Sequence, residues 1–170
     1  MCGSEVTPLP ESVQRVATAL RAAGHPHAPV MLGDACRTAQ QAADALGVAL
    51  GQIAKSIIFR RKADDVAVLV IASGDRRVDE KKVAALVGKL GRADADFVRA
   101  RTGFAIGGVS PVAHAVAPVT LLDRELCRFD TLWAAAGHPH AVFCLTPRQL
   151  PGLAAAEFAD VTEPPPDTRP

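Results

Sequence analysis

The sequence lacks tyrosine and holds a single tryptophan, and aromatic residues make up only 4% of its 170 positions. Alanine, valine and leucine must therefore fill most of the core. The formal net charge is +1, so the total charge gives no sign of a strongly basic nucleic-acid binder. No apolar stretch reaches the length of a transmembrane helix. Hydrophobic residues make up 49% and charged residues 22%, a balance typical of a globular domain that buries one core.

Cysteine is scarce and scattered. The four cysteines, Cys2, Cys36, Cys127 and Cys144, lie far apart without a CxxC pair, so neither a zinc site nor a disulfide framework is indicated. The first residues, MCGSEVTPLPES, are polar and contain proline, unlike a signal peptide. We therefore expect a cytoplasmic protein with reduced thiols and no membrane association.

The sequence patterns of several enzyme classes are also missing. There is no GxGxxG, no P-loop, no GxSxG and no HExxH. His138 and His140 are two residues apart, a spacing that on a strand places both on one face and would suit a metal. No third ligand follows the pattern, so we expect no metal and no cofactor.

The order of the predicted elements indicates an α+β domain. Apolar residues at helical spacing predict helices over residues 11–24, 38–48 and 79–90. The β-branched runs Ile53–Arg61 and Val66–Ser73 predict a hairpin. Regular βαβ alternation is missing, so the mixture of hairpins and helices favours a mixed, barrel-like sheet surrounded by helices.

The ends of the chain differ from its middle in composition. We expect a disordered lead-in over residues 1–10 and a folded domain over residues 11–163. The proline-rich residues 164–170 predict a disordered tail. The chain shows no internal repeat and no second domain boundary.

Lys55 lies near the start of the predicted strand AKSIIF, among apolar neighbours. A lysine in such a place costs desolvation free energy unless its ammonium reaches water or meets an anion. The local sequence leaves two alternatives open. Lys55 is either an edge-strand lysine that faces water or a contact to an anion such as a phosphate.

The stretch GFAIGGVSP places two adjacent glycines inside an apolar run. Glycine weakens a strand interior, so Gly107 and Gly108 indicate a special backbone conformation. Three alternatives remain: a β-bulge or tight turn, a phosphate cradle, or a loop whose N–H groups approach a ligand carbonyl. Pro111 would stiffen such a loop, and Ser110 would add a hydrogen-bond donor.

Two clusters of basic residues follow one another along the chain: Lys55, Arg60, Arg61 and Lys62, then Arg76, Arg77, Lys81 and Lys82. Such clusters are usually solvated surface. The alternative is that they contact the phosphate backbone of a nucleic acid.

Five stretches occur together in an order and at distances that carry a resemblance: AKSIIF, VLVIASGDRRVDEKKVAALVG, TGFAIGGVSPVAH, VTLLDREL and AAGHPHAVFCLTPRQL. Over about residues 10–163 the chain resembles the YbaK/ProX family of aminoacyl-tRNA editing proteins. It also resembles the editing domain inserted in bacterial prolyl-tRNA synthetases. The combination of the strand lysine, the GGxSP loop and the late AGH segment is specific, whereas no single piece is.

The resemblance implies a compact domain around a mixed, barrel-like sheet and a free-standing trans-editing deacylase that supports translation fidelity. Such a hydrolase cleaves the ester between a wrong amino acid and the 3′-terminal adenosine of a tRNA, most often tRNA(Pro). The implied partners are the acceptor end of tRNA(Pro) and prolyl-tRNA synthetase. Because the ester is already activated, a positioned water, oxyanion donors and a cationic anchor suffice without a catalytic triad.

The resemblance also implies roles for individual residues. Lys55 matches the family's strand lysine, and Gly107, Gly108 and Ser110 match its GGxSP loop. These four residues form the expected catalytic group. The residues expected to bind the substrate are Pro111, Gly137, His138 and Ser73. The residues expected to contact the tRNA are Arg76, Arg77, Lys81 and Lys82.

The segment after Gly137 separates the branches of the family. The cysteine-releasing branch generally has a different residue at the position of His138, which argues against direct assignment to that branch. Alanine, 2-aminobutyrate, serine and threonine stay open as the edited amino acid, and cysteine is kept as a further candidate. Two alternatives to editing of tRNA(Pro) also remain. One is editing of another tRNA, and the other is a non-catalytic module that retains the fold and binds tRNA or protein.

Overall fold

The computed structural model describes residues 8–34 and 36–165. These residues form five α-helices, two 3-10 helices and one sheet of eight strands. The α-helices are α1 (Glu11–Ala22), α2 (Ala39–Leu46), α3 (Glu80–Val87), α4 (Ala95–Thr102) and α5 (Leu150–Ala154), and the 3-10 helices span Leu50–Gln52 and Arg124–Arg128. The strands are β1 (Val30–Met31), β2 (Ile53–Arg61), β3 (Ala67–Ser73), β4 (Leu90–Arg92), β5 (Val119–Asp123), β6 (Leu132–Ala135), β7 (Ala141–Leu145) and β8 (Glu157–Ala159). The predicted α+β class with a mixed sheet is confirmed.

The start and end of α2 follow directly from the sequence. The Thr38 hydroxyl accepts a hydrogen bond from the Gln41 N–H, and the Gln41 side chain accepts one from the Thr38 N–H, which completes a capping box. The helix ends at Gly47, whose φ of 68° lies in the left-handed region that glycine adopts readily. This cap fixes the chain immediately before β2.

The sheet has the order β1-β7-β6-β2-β3-β5-β8, and β4 joins it by pairing with β2. The predicted hairpin forms β2 and β3, which pair antiparallel with Lys55 opposite Ala72. β3 pairs parallel with β5, and β5 pairs parallel with β8. The sheet is therefore mixed, and within residues 8–34 and 36–165 no pairing joins β1 to β8.

The strand β2 has a break in its pairing on the edge opposite β3. Its pairing with β6 ends at Ala54, and its pairing with β4 begins at Phe59. Residues 55–58 therefore have no strand partner on this edge in the described part of the chain. We call this break the edge gap.

Two groups of buried side chains pack on opposite faces of β3. Leu69 and Ile71 belong to the larger group, together with side chains of α1 and β7, whereas Val68 and Val70 pack with Val83 of α3. This alternation is the period of two expected for a strand buried on both faces. The edge gap lies in the strand next to this central one.

The structure corrects one predicted element. The helix predicted over residues 79–90 ends at Val87, because Gly88 adopts a φ of 104°. Leu90 then begins β4 instead of continuing the helix. None of the helices in the described ranges is both long and apolar enough to cross a membrane.

The predicted terminal segments lie mostly beyond the described ranges. Residues 1–7 of the expected lead-in and residues 166–170 of the expected tail are outside them. Leu9 is described, and it packs against the larger group of buried side chains.

Candidate functional site

A cavity of about 590 Å³ lies along the edge gap. This volume is in the range of small-molecule sites in proteins. Its walls are mostly apolar, and its polar side chains are few. The lining includes Arg37, Lys55, Ser56, Gly107, Val109 and Trp133.

Lys55 lines this cavity and is exposed. Its ammonium has no ion pair or hydrogen bond with the rest of the described chain, whereas Lys82 pairs with Asp160 at 2.9 Å. Because β2 is fixed by its ladder to β3, the base of the Lys55 side chain is held firmly while its charge stays available. Lys55 is therefore placed to bind an anion at the cavity.

Arg37 is a second cation at this cavity, and the sequence analysis did not identify it. It lines the cavity directly before the N-cap Thr38, and its guanidinium has no partner among the described residues. The Arg37 N–H donates to the Gln41 side chain at 2.8 Å, which ties its backbone to the capping box of α2. The signal available in the sequence was its place directly before residue 38, where a helix was predicted to begin.

Part of the glycine stretch lines the same cavity as Lys55. Gly107 and Val109 line the cavity, whereas Gly108 is buried behind them. The Gly108 N–H donates to the Ala105 carbonyl at 3.0 Å, so this donor is already used. The N–H groups of Gly107 and Val109 have no partner in the described chain. The loop therefore has two unused backbone donors, and both belong to residues that line the cavity.

Gly108 has a packing role instead. A Cβ placed on Gly108 would lie 2.9 Å from the His138 Cα, closer than real side chains approach. Gly137 is similarly restricted, since its φ is 95° and a Cβ would lie 2.6 Å from the Ser12 carbonyl oxygen. These contacts bring the GGxSP loop, the GHPHA turn and α1 together.

His138 itself is half-buried and does not line the cavity, although Pro139 does. Its Nδ1 accepts a hydrogen bond from the His140 N–H at 3.0 Å. The His140 Nδ1 lies 3.0 Å from the Cys36 carbonyl oxygen, so this nitrogen is the donor. These bonds orient both rings within the turn, and the backbone of His138 supports Gly108 from behind.

Ser110 and Pro111 are buried and do not line the cavity. The Ser110 hydroxyl accepts a hydrogen bond from the Val112 N–H at 3.1 Å, and its carbonyl accepts one from the His114 Nε2–H at 2.6 Å. Burial lowers the pKa of His114 below 6.5, the charge of Arg15 lowers it further, and the bond to Ser110 acts in the opposite direction. Ser110, Pro111 and His114 thus hold the loop in place from inside the protein.

Ser73 lies in a buried network away from the cavity lining. Its hydroxyl lies 2.6 Å from the Gly51 carbonyl oxygen and 3.0 Å from an Asp75 carboxylate oxygen. The same hydroxyl accepts a hydrogen bond from the Arg128 guanidinium at 2.8 Å. Burial by itself would raise the pKa of Asp75, but hydrogen bonds from Arg128 and Ser73 bring this pKa below its ordinary value.

The four basic residues expected to contact tRNA are not equivalent in the structure. Lys82 is engaged by Asp160 and by the Thr162 carbonyl, each at 2.9 Å. Arg76 is mostly buried and lies 3.4 Å from Asp75. Arg77 and Lys81 are exposed, and their side chains have no partner in the described residues. Only these two cations of the cluster are free to meet an external anion.

Trp133 and Ser56 were also missed by the sequence analysis. Trp133 is half-buried, lies opposite Ile53 in the β2–β6 ladder and lines the cavity. Ser56 lies in the edge gap, and its hydroxyl oxygen is buried without a hydrogen-bond partner in the described residues. The tryptophan could have been noticed as the single one in the chain, whereas nothing local distinguishes Ser56.

His, Cys, Asp and Glu side chains do not form any group of three that could hold a metal ion within the described ranges. His138 and His140 are near each other, with ring centroids 5.3 Å apart. Their hydrogen bonds to the backbone occupy the Nδ1 atom of each ring.

Comparison with known proteins places this arrangement in a family context. The family model of the aminoacyl-tRNA editing domain matches residues 34–153. The chain is 40% identical over 114 residues to the uncharacterized protein YwhH of Bacillus subtilis (strain 168), a match that covers 66% of this chain and 72% of YwhH.

Two solved structures are similar to the whole fold. A candidate trans-editing enzyme for prolyl tRNA synthetase matches with a TM-score of 0.87 and 41% identity, over 92% of this chain and 100% of that one. The hypothetical protein APE2540 matches with a TM-score of 0.78 and 30% identity, over 88% of this chain and 99% of that one. The cavity, the free Lys55 and the loop at Gly107 therefore lie within the matched region of both fold and sequence.

Proposed function

Because the chain belongs to the aminoacyl-tRNA editing domain family, we propose that it is a trans-editing deacylase that hydrolyses the ester of a mischarged tRNA. The observation that carries the proposal is a cavity lined both by an unpaired Lys55 and by Gly107 and Val109, whose N–H groups have no partner in the described chain. An aminoacyl ester joined to a phosphodiester chain needs a cation and oxyanion donors in this combination.

The reaction follows from these groups. Lys55 binds a phosphate of the tRNA end and holds the ester at the cavity. A water molecule attacks the carbonyl carbon, and the negative charge that develops on the carbonyl oxygen is stabilised by the N–H groups of Gly107 and Val109. The ester C–O bond then breaks, the free amino acid leaves, and the ribose oxygen takes up the proton that the attacking water loses. Gly108, Ser110 and Pro111 hold the loop in the required shape.

We further propose that the substrate is tRNA(Pro) carrying a small wrong amino acid: alanine, 2-aminobutyrate, cysteine, serine or threonine. The similarity to a candidate trans-editing enzyme for prolyl tRNA synthetase supports the choice of tRNA. The mostly apolar walls support an amino-acid side chain without charge. One methylene group changes binding by only about 1–3 kcal/mol, so size alone gives limited discrimination between similar amino acids.

The tRNA body is expected to contact the free cations outside the catalytic group. Arg37 adjoins the cavity, and Arg77 and Lys81 are exposed. Contacts to phosphate groups release counterions, so binding of tRNA should weaken as the salt concentration rises. Prolyl-tRNA synthetase is the proposed protein partner, as the source of the mischarged tRNA.

The test is a deacylation assay with a panel of mischarged tRNAs. Purified protein is incubated with Ala-, 2-aminobutyryl-, Cys-, Ser- and Thr-tRNA(Pro), with Pro-tRNA(Pro) as the matched control. We expect release of at least one small amino acid and no release of proline. Binding of every tRNA without release of any amino acid would overturn the proposal and would favour a non-catalytic binding module.

A further inference from the structure

Three polar side chains form a network behind the start of β2, outside the cavity. The Ser73 hydroxyl, at the end of β3, is fully buried and lies 2.6 Å from the Gly51 carbonyl oxygen and 3.0 Å from an Asp75 carboxylate oxygen. Arg128 donates to this hydroxyl at 2.8 Å and to the two oxygens of Asp75 at 2.7 and 3.2 Å. We call Ser73, Asp75 and Arg128 the Arg128 network. It contacts the 3-10 helix Leu50–Gln52 through the Gly51 carbonyl.

Arg128 decides which group receives the proton of Ser73. A serine hydroxyl has one proton, so Ser73 donates either to Gly51 or to Asp75. Two guanidinium nitrogens of Arg128 already donate to Asp75, and this bidentate contact satisfies the carboxylate without the serine. The Ser73 proton is therefore left for the Gly51 carbonyl, which is also the nearer acceptor. Without Arg128, the charged Asp75 would compete for this proton.

Gly51 is also held by close packing against the same group. A Cβ placed on Gly51 would lie 2.6 Å from the Phe129 ring and 2.8 Å from Asp75 Oδ2. The Arg128 guanidinium carbon lies 4.8 Å from the centroid of the Phe129 ring, in a cation–π contact. The backbone at Gly51 is thus fixed both by a hydrogen bond and by the side chains that face it.

The segment held in this way joins two walls of the cavity. The 3-10 helix Leu50–Gln52 lies between α2 and β2, and both of these elements contribute lining residues. Lys55 is the third residue of β2. The Gly74 N–H donates to the Ile53 carbonyl at 2.8 Å, so the residue after Ser73 also holds the first residue of β2. The Arg128 network therefore acts on the backbone that leads into Lys55, although none of its three side chains lines the cavity.

We propose that Arg128 is a positioning residue for deacylation, which fixes the start of β2, and with it Lys55, through Ser73 and Gly51. The inference rests on the proposed function for the role of Lys55. A displaced Lys55 still binds a phosphate, but the ester is then held away from its place in the cavity. A misplacement of about 1 Å costs about 100-fold in rate. Loss of the network should consequently lower kcat more than it raises KM.

The experiment compares Arg128→Ala with the wild type in steady-state deacylation of one aminoacyl-tRNA. We expect kcat to fall by about tenfold or more and KM to stay within about threefold. Guanidinium ions at millimolar concentration should restore part of kcat, since the Arg128 side chain is 31% exposed and a small cation can take the place of its guanidinium. An unchanged kcat, or a change confined to KM, would overturn the proposal.

Val83→Ala is the control for a general loss of stability. Val83 is buried in the smaller group of side chains, on the face of β3 opposite the larger one. Its truncation should lower the Tm and leave kcat unchanged at a temperature at which both variants are folded. If Val83→Ala lowers kcat as much as Arg128→Ala does, the effect of Arg128 is one of stability and the proposal is wrong.

Hydrogen exchange tests the positioning without any turnover. We expect the amides of residues 50–55 to exchange faster in Arg128→Ala than in the wild type, with exchange in α3 unchanged. An equal rise in both segments would contradict a local role of the Arg128 network. Release of no amino acid by the wild-type protein would count against the proposed function alone. The two failures are therefore distinguishable.

Discussion

Gly108 lies so close to His138 that a Cβ on Gly108 would be 2.9 Å from the His138 Cα. The contact joins the loop that lines the cavity to the turn that precedes β7. Gly108 does not offer its own N–H to the cavity, since that group donates to Ala105. The second glycine of the pair is therefore required by packing, and it positions its neighbours Gly107 and Val109.

We expect Gly108→Ala to separate the loop from the turn, because the clash involves backbone atoms that cannot rotate away. The free energy of unfolding should fall by about 1–3 kcal/mol, as in overpacked cores, and deacylation should be lost. Urea denaturation and the deacylation assay measure the two effects. Gly152→Ala is the matched control, since a Cβ there meets nothing within 4 Å. Wild-type activity in Gly108→Ala would show that the close contact is dispensable.

Lys55→Ala should reduce kcat/KM for deacylation by about 10- to 100-fold, the loss typical of a charged hydrogen bond. Stability should stay within about 0.5 kcal/mol of the wild type, because the side chain is exposed. Lys89→Ala is the control, as Lys89 is exposed and does not line the cavity. If both variants keep wild-type rates, Lys55 faces solvent and has no part in the reaction.

Ile106 is a large apolar side chain that is 59% exposed and lines the cavity next to Gly107. We expect Ile106→Ala to raise KM several-fold. A substrate in the cavity would bury apolar surface against Ile106, and this burial contributes about 1–2 kcal/mol to the binding free energy. Leu86 on α3 is similarly exposed, at 56%, and lies outside the lining, so Leu86→Ala should leave KM unchanged. Steady-state kinetics with one aminoacyl-tRNA compare the two, and equal effects would exclude a substrate contact at Ile106.

We expect the free energy of unfolding to decrease at low pH because of His114. Its pKa is below 6.5 in the folded protein, so the unfolded chain binds more protons as the pH falls. The stabilising contribution is complete above pH 6.5 and is lost as the pH falls from there through the lowered pKa. Urea unfolding at about pH 7.5 and about pH 5 measures the loss, and His114→Gln should show a smaller one. An equal loss in both proteins would assign the dependence to other groups.

Much of the fold follows from local signals in the sequence. The capping box at Thr38 and the β-branched runs of the hairpin are local patterns, and both are present in the structure. The strand β4 was missed because its three residues are held by pairing with β2, which no local pattern shows. Gly88 was the available sign that the preceding helix ends there.

The candidate site was only partly predictable for a related reason. Lys55 and Gly107 carry recognisable patterns, and both line the cavity. The Ser73 hydroxyl is held by a hydrogen bond from Arg128, which is 55 residues away in the sequence. Ser56 differs from its neighbours because the pairing of β2 with β6 ends before it and the pairing with β4 begins after it. Where these pairings end depends on the arrangement of the whole sheet.

The edge gap also affects whether a second copy of the protein can pair with β2. Unpaired strand edges are templates on which other chains add and aggregate. Here the unpaired stretch covers only residues 55–58 and is closed by β6 at one end and β4 at the other. A small molecule can enter such an interruption, whereas a strand from a second chain finds too few residues to pair with. The edge gap thus exposes backbone groups without offering a second chain a long unpaired edge on which to add.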